Sequence, residues 1–350
     1  MLIRNVIFWL STKKKLTDAI ARRGMKKGFA RRFVAGQTLD EAVVACHELN
    51  KAGRLISLNH LGEGVTSTEA AAMVKDGYIA MIQELHRLGI RGNISVKPTQ
   101  LGLDVKPDGR DLCLRLCQEI VTTAASLGRD IEMDMEASAY VDATLDVFET
   151  VRKRNANVGM AIQAYLYRTE KDLERLGPLG AKIRLVKGAY REPKSIAFQR
   201  KKEVDANYCR LIDKLLDGRF FPAIATHDPK MLDYARQRIT ERGLGKDKYE
   251  FQMIYGIRRD LQQEIRQQGH ALRIYVPYGT EWCPYFMRRL SERPANCWFV
   301  LRNLVVESFG GNHQKRAWGA LPSGWMSSGV QRVTALRPQA ARKRSRMCFR

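Results

Sequence analysis

The sequence predicts a (β/α)8 barrel, and three observations carry that prediction. Eight short apolar or β-branched runs follow one another along the chain. Their starts lie 22 to 39 residues apart, room for a strand, a loop, a helix and a second loop in each unit. Helix-start signals with apolar periodicity fall between them.

Taken in order, the runs are "RLISLNHLG" from 54, "NISVKPTQLG" from 93, "DIEMDME" from 130 and "NVGMAIQAY" from 157. "KIRLVKGAY" from 182, "FPAIATHD" from 221, "YEFQMIYG" from 249 and "ALRIYVPYG" from 271 complete the set. Thr38 with Glu41, and Thr66 with Glu69, have the spacing of capping boxes, in which a hydroxyl and a carboxylate satisfy each other's free backbone N–H groups. After the eighth run, residues 281–293 read as a helix that starts at the rim of the barrel mouth and ends at Pro294. "NCWFVLRNLVVE" reads as a further helix closing the fold. The expected organisation is a basic helical extension over 1–38, a catalytic barrel over 39–307 and a basic, flexible tail over 308–350.

Charge separates these parts. Net charge is +23, but residues 1–38 hold ten Lys or Arg against one acid, and residues 308–350 hold nine against none. The 269 residues between carry only +5, so the body is not a basic nucleic-acid binder and no nucleic-acid partner is expected. The opening "MLIRNVIFWLSTKKK" has an apolar run too short to span a bilayer and lacks a small-residue cleavage site; it reads as a plain helical extension, with an organelle transit segment or a contact with an anionic membrane surface as the alternatives. Seven cysteines form no CxxC pair, which fits reduced thiols in the cytoplasm and implies no zinc site.

Polar residues gather toward the carboxyl ends of the strands: Lys97, Asp134, Gln163, Lys187, Tyr190, His227, Asp228, Tyr255 and Tyr275. In a barrel that end holds the pocket. In "YFMRRLSERP", Tyr285, Arg288, Arg289 and Glu292 share one helical face, and Trp282, Phe286 and Leu290 form the apolar stripe beside it. The helix therefore packs by one stripe and presents a guanidinium fork on another, a shape that fits a planar anion. Lys97 is open to two uses, as an imine-forming amine or as a cation paired with Asp134. No Ser-His or Cys-His pair stands out, and no GxGxxG fingerprint is present. The residues alone thus lead to a small carboxylate-bearing substrate in a barrel mouth.

The ordered motifs "ISVKPTQLGLD", "IEMDMEAS", "IQAYL", "RLVKGAY", "ATHD" and "YVPYGTEWCPYFMRRLSERPAN" resemble the proline dehydrogenase family, most closely its monofunctional bacterial form, over about residues 25–307. The resemblance implies a distorted (β/α)8 TIM barrel with N-terminal helices and a C-terminal helix over the mouth. It implies an FAD-dependent oxidation of L-proline to Δ1-pyrroline-5-carboxylate, the first step of proline catabolism. Electrons would pass to a membrane quinone and product to a separate pyrroline-5-carboxylate dehydrogenase, with the enzyme cytoplasmic and in peripheral contact with the inner face of the membrane. Carried over by motif, Arg288 and Arg289 clamp the proline carboxylate with Lys97, Glu292 orients the fork, and Tyr190, Tyr275 and Ile254 surround the ring. Asp134 has a positioning role near the flavin, Arg184 lies near flavin N5, and Gln163 hydrogen-bonds the isoalloxazine. Met135, Lys187, Gly188, Ala189, Thr226 and His227 run along the cofactor, and no metal is involved. Three other readings stand beside this one: a hydroxyproline dehydrogenase, disfavoured by Tyr275; a Schiff-base lyase using Lys97; and a non-catalytic barrel whose basic ends bind RNA or lipid.

Overall fold

The computed structural model describes residues 30–62, 64–282 and Tyr285. Its eight strands are β1 (Leu55–His60), β2 (Gly92–Val96), β3 (Ile131–Met133), β4 (Val158–Gln163), β5 (Lys182–Val186), β6 (Phe221–Ala225), β7 (Glu250–Ile254) and β8 (Leu272–Tyr278). Each coincides with one of the eight runs read from the sequence, β2 beginning one residue ahead of its run, at Gly92. All pair in parallel with their chain neighbours, and β8 returns to β1 with Ser57 opposite Tyr275, so the sheet closes into a barrel without an edge.

Among the described residues eight helices alternate with the strands: α1 (Leu39–Lys51), α2 (Thr68–Arg87), α3 (Gly109–Ser126), α4 (Val141–Arg152), α5 (Thr169–Leu176), α6 (Lys201–Leu215), α7 (Pro229–Glu241) and α8 (Arg259–Gln267). Thr38 caps α1 as expected, its hydroxyl accepting from the N–H of Glu41, while the Glu41 carboxylate turns back to the N–H of Gln37. At α2 the expectation is corrected. Ser67, not Thr66, is the cap: it has extended φ and ψ and its hydroxyl accepts from the N–H of Ala70. Two adjacent hydroxyl residues compete there, and the one placed three residues before a free helical N–H wins.

The hydrophobic core lies between sheet and helices. One set of alternating strand residues, such as Ile56, Leu58, Ile94, Met160, Leu185 and Ile274, is fully buried together with Tyr78, Ile120, Phe148, Leu211 and Ile265 from the helices. Each such side chain contributes about 1.5–3 kcal/mol relative to exposure. The other alternate set faces the barrel interior and is polar on β1, β2, β3, β5, β7 and β8, with the small Ala161 and Ala223 opposite Arg184, which builds the site described below.

The segment before α1 belongs to the same packing. Phe33, Val34 and Ala35 are buried, Ala35 donates to the carbonyl of Pro277, and Gly279 donates to the carbonyl of Gly36. Gly256 makes this close approach possible: it has φ of +74°, and a Cβ on it would lie 1.7 Å from the carbonyl oxygen of Arg32. Trp282 and Tyr285, in the helix expected after β8, are helical and buried. The rest of that helix, and the tail over 308–350, lie outside the described residues.

The corrected cap yields a test. Ser67→Ala should lower stability by about 1 kcal/mol, whereas Thr66→Ala should stay within about 0.5 kcal/mol of the parent in urea unfolding.

Candidate active site

Parallel strands point alternate residues to opposite faces, and here the inner face carries charge. "IEMDME" places Glu132, Asp134 and Glu136 on one side; "KIRLV" does the same for Lys182 and Arg184. Barrel interiors ordinarily fill with branched aliphatic layers. In this chain a connected ion network takes their place.

Arg184, midway along β5, is the hub. Its Nε donates to Gln252 Oε1 at 2.7 Å, and its Nη2 donates to Ser57 Oγ at 3.2 Å and Glu132 Oε2 at 2.5 Å. Its Nη1 donates to Ser95 Oγ at 3.2 Å and to Asp134 Oδ1. Five N–H groups thus meet acceptors from strands β1, β2, β3 and β7 or from the residue just past β3. The guanidinium carbon lies 5.2 Å from the centre of the Tyr275 ring. Burial alone would weaken its charge, but Glu132 and Asp134 hold its pKa above the ordinary arginine value. Below it the network continues through Gln252 to Glu132 and Glu250, and from Glu250 to Arg273 at 2.8 Å and Lys182 at 2.6 Å.

Asp134 stands above the hub and joins the sequence-predicted residues. Its Oδ1 accepts from Ser95 Oγ at 2.6 Å, and its Oδ2 accepts from Lys97 Nζ at 3.2 Å and Tyr275 OH at 2.7 Å. Burial pushes this carboxyl up, but Lys97 and Arg184 outweigh it and bring it down to about 2. Lys97 answers the other way. Burial would lower it, yet the neighbouring Tyr275, Asp134, Tyr190 and Glu136 together hold it well above the ordinary lysine value. At neutral pH the pair is Lys97⁺ and Asp134⁻. A lysine so firmly protonated is a positioned cation, not an imine-forming nucleophile, and an aspartate so acidic is no general base.

Neighbouring groups brace this pair. Tyr78 of α2 accepts from the backbone N–H of Lys97 at 3.3 Å. Glu136 accepts from the N–H and hydroxyl of Thr99 at 3.0 and 2.7 Å, and burial raises its pKa. Gln163 is buried at the end of β4, and its Nε2 donates to the carbonyl of Glu136 at 2.7 Å. Over the rim, Glu192 accepts from the N–H and hydroxyl of Ser138 at 2.7 and 2.6 Å, which ties the loop carrying Tyr190 to the loop after β3.

Further along the mouth, His227 Nε2 accepts from the N–H of Ile254 at 2.8 Å, which ties the loop after β6 to the end of β7. Thr226 is buried and its hydroxyl accepts from the N–H of Asp228. Met135 and Gly188 each stand two residues past the end of their strand, β3 and β5; Gly188 has φ of +110°, and a Cβ there would run into the Tyr165 ring at 2.2 Å. Ala189 is exposed beside it.

Two residues in the gathered polar set point elsewhere. Lys187 follows Val186 with the opposite facing, so its ammonium leaves the mouth and sits between Asp205 of α6 and Asp228, 2.9 Å from the latter. Asp228 itself caps α7, accepting from the N–H of Lys230. Counting polar residues at strand ends ignored the period of two, and that is why both were included. Arg288, Arg289 and Glu292 lie outside the described residues.

The sequence reading missed Ser57, Ser95, Glu132, Gln252, Glu250 and Arg273, the acceptors and second cation of the network. The charge alternation in "IEMDME" was the available signal for Glu132. It also missed Asn59, which shares the inner face of β1 with Ser57 and lies opposite Ser95 in register. Asn59 is fully buried, and neither end of its amide has a partner among the described residues. A buried amide left so costs about 1–3 kcal/mol per unmade bond, so this one points to a polar group bound in the mouth. Among the described residues no group of three or more His, Cys, Asp or Glu side chains is placed to hold a metal ion.

Asp134 supplies a pH test. Its folded pKa lies below the ordinary value of about 3.9, so it adds about 2 kcal/mol of stability above pH 4, lost as the pH falls toward 2. Asp134→Asn should abolish that part of the acid dependence. It should also cost about 3–5 kcal/mol near neutrality by leaving Lys97 and Arg184 short of an anion, as read by urea unfolding across the pH range.

Comparison with known proteins identifies the family. The family model described as "Proline dehydrogenase" matches residues 42–302. Proline dehydrogenase 2 of Bacillus subtilis is 38% identical over 305 residues, covering 87% of this chain and 99% of that protein. A proline dehydrogenase of Deinococcus radiodurans is 38% identical over 290 residues, covering 82% and 93%. The crystal structure of proline utilization A from Bdellovibrio bacteriovorus, inactivated by N-propargylglycine, superposes with a TM-score of 0.71 at 23% identity, over 82% of this chain and 38% of that one, a likeness of fold. The chain belongs to the proline dehydrogenase family.

Proposed function

We propose that this protein oxidises L-proline to Δ1-pyrroline-5-carboxylate with FAD as its bound acceptor, as the first step of proline catabolism. The observation that carries this reading is the fixed cation pair Lys97 and Arg184, oriented by one carboxylate, Asp134, under the ring of Tyr275. Similarity to proteins named proline dehydrogenase along nearly their whole length supports the substrate.

Lys97 supplies a permanent positive charge for the substrate carboxylate, shared with Arg288 and Arg289, while Glu292 orients that fork. Tyr190, Tyr275 and Ile254 enclose the ring. Hydride transfer depends on distance and alignment, so a clamp with fixed charges is the appropriate tool. Tyr275 is held by its hydrogen bond to Asp134 and by the Arg184 guanidinium beneath it, so it cannot swing aside for a ring bearing an extra hydroxyl. Proline is therefore the expected substrate over hydroxyproline.

The residues present suit a flavin. The unpartnered Asn59 amide calls for a polar ligand at the mouth, and Gly188, at positive φ, brings bare backbone to the rim. Met135, Gln163, Gly188, Ala189, Thr226 and His227 would hold the cofactor, the last two with hydrogen bonds already set, and Lys187 would pass along it by its backbone, its ammonium being held outside the mouth by Asp205 and Asp228. When bound, FAD supplies the acceptor for the hydride. Arg184 contributes a cation that cannot be titrated away and that favours negative charge near it. The amine must be neutral to release hydride, and solvent takes its proton.

In this reading electrons leave to a membrane quinone and product to a separate pyrroline-5-carboxylate dehydrogenase. The protein is cytoplasmic and touches the inner membrane face. Residues 39–307 form the catalytic barrel, flanked by the basic extension over 1–38 and the basic tail over 308–350. No helix among the described residues is long and apolar enough to cross a membrane. The Schiff-base lyase has no support from a protonated, ion-paired Lys97.

Two measurements test the proposal. Purified protein should show flavin absorbance that bleaches anaerobically with L-proline and not with hydroxyproline; a colourless protein that takes up no FAD sinks the reading. Arg288→Ala and Arg289→Ala should each raise KM for proline by about tenfold or more with FAD retained, since a charge-assisted contact contributes about 1.5–3 kcal/mol.

A further inference from the structure

Four large hydrophobic side chains stand exposed among the described residues: Val44, Met73, Tyr167 and Ile196. Val44 and Met73 are on helices; Tyr167 and Ile196 meet. The loop after β4 and the loop after β5 are joined by an antiparallel bridge between Leu166 and Ala197. The Tyr167 N–H donates to the carbonyl of Ile196 at 3.1 Å, the Phe198 N–H donates to the carbonyl of Tyr165 at 2.8 Å, and the Tyr167 hydroxyl donates to the carbonyl of Lys194 at 3.0 Å. The rings of Tyr167 and Phe198 pack edge to face with centres 4.6 Å apart, and Ala197 is fully buried beneath. The apolar tip is thus a built, hydrogen-bonded knob. Isolated exposed hydrophobics need no explanation, but a rigid pair with ordered backbone marks a contact surface.

Charge around the knob narrows the partner. Residues 188–202 hold five basic residues and one acid, +4, against +5 for the whole of 39–307. The acid, Glu192, is used by Ser138, and Lys201 is paired with Asp205 and Asp228. Arg191, Lys194, Arg200 and Lys202 are exposed and have no ion-pair partner among the described residues. Protein interfaces are depleted in lysine, whereas an aromatic and aliphatic tip ringed by unpaired Lys and Arg matches the boundary of an anionic bilayer.

We propose that the loops at 165–168 and 188–202 form a docking platform for an anionic lipid surface. The inference rests on the proposed transfer of electrons to a membrane quinone and adds where the membrane sits. The loop leaves the carboxyl end of β5 and carries Tyr190, so the platform and the mouth open on the same side of the barrel. An acceptor dissolved in the bilayer would then reach the site without crossing the protein.

The test uses full-length protein loaded with FAD, carrying Ile196→Trp, because the basic ends bring their own attraction to anionic lipid and the probe must report from the loop. After subtraction of the parent's emission, the fluorescence of the introduced indole should shift to the blue with vesicles of mixed phosphatidylcholine and phosphatidylglycerol. Lipids with brominated acyl chains should quench it, and pure phosphatidylcholine should leave it unchanged. The double variant Lys194→Glu, Lys202→Glu should weaken vesicle binding by about tenfold or more, with proline-dependent reduction of a soluble dye unchanged. Vesicle binding with no change in the indole emission, or an unchanged Kd in the double variant, overturns the platform. Loss of dye reduction in the parent would instead overturn the proline reading.

Discussion

Arg184 needs five hydrogen-bond acceptors in a place that water does not reach, and the interior of this barrel is arranged around meeting that need. Taking a guanidinium out of water costs several kcal/mol unless carboxylates and neutral acceptors replace the lost solvation. Glu132 and Asp134 from below and above, Ser57 and Ser95 from the side, and Gln252 from across do so. Because these groups come from β1, β2, β7 and β3 or the residue just past it, and meet on β5, the network holds only when those strands are brought together by the barrel. The polar interior therefore makes closure of the barrel a condition of the site, and the site a condition of the closure.

The same arrangement sets the chemistry. Arginine keeps its proton throughout the physiological range, and Lys97 is kept protonated by Asp134 and the phenols around it. The mouth thus presents positive charge that neither pH nor burial removes, which suits a carboxylate-bearing substrate and an acceptor that gains negative charge. Asp134 uses its acidity to hold four donors in place. A residue so engaged orients; it does not exchange protons. Proton transfer is left to groups outside the network, and hydride chemistry tolerates that division because alignment dominates its rate.

Around the mouth, loops are tied to loops: Glu192 to Ser138, Tyr140 to Asp104, and Leu166 to Ala197. Rigidity there has two consequences. It places Tyr190 relative to Lys97 without help from the barrel strands, and it presents the exposed tip of Tyr167 and Ile196 in one orientation. Glu192 serves both purposes, since its engagement by Ser138 leaves the basic rim around the tip without a competing anion.

All eight strands and the cap at Thr38 were legible in the sequence by itself, because strand spacing, apolar runs and capping residues are local properties that survive without a structure, whereas the pairing of Lys97 with Asp134 was one of two uses the sequence left open. The N-cap at Ser67 rather than Thr66 was not, since two neighbouring hydroxyls are equivalent until one meets a free N–H. Nor was the outward turn of Lys187, where a single step along β5 decides between mouth and helix layer. Only the tertiary structure placed Glu132, Gln252 and Ser57 around Arg184, because those residues lie 52, 68 and 127 positions away along the chain. Hydrogen bonds of that span are set by barrel closure, and sequence pattern has no term for it.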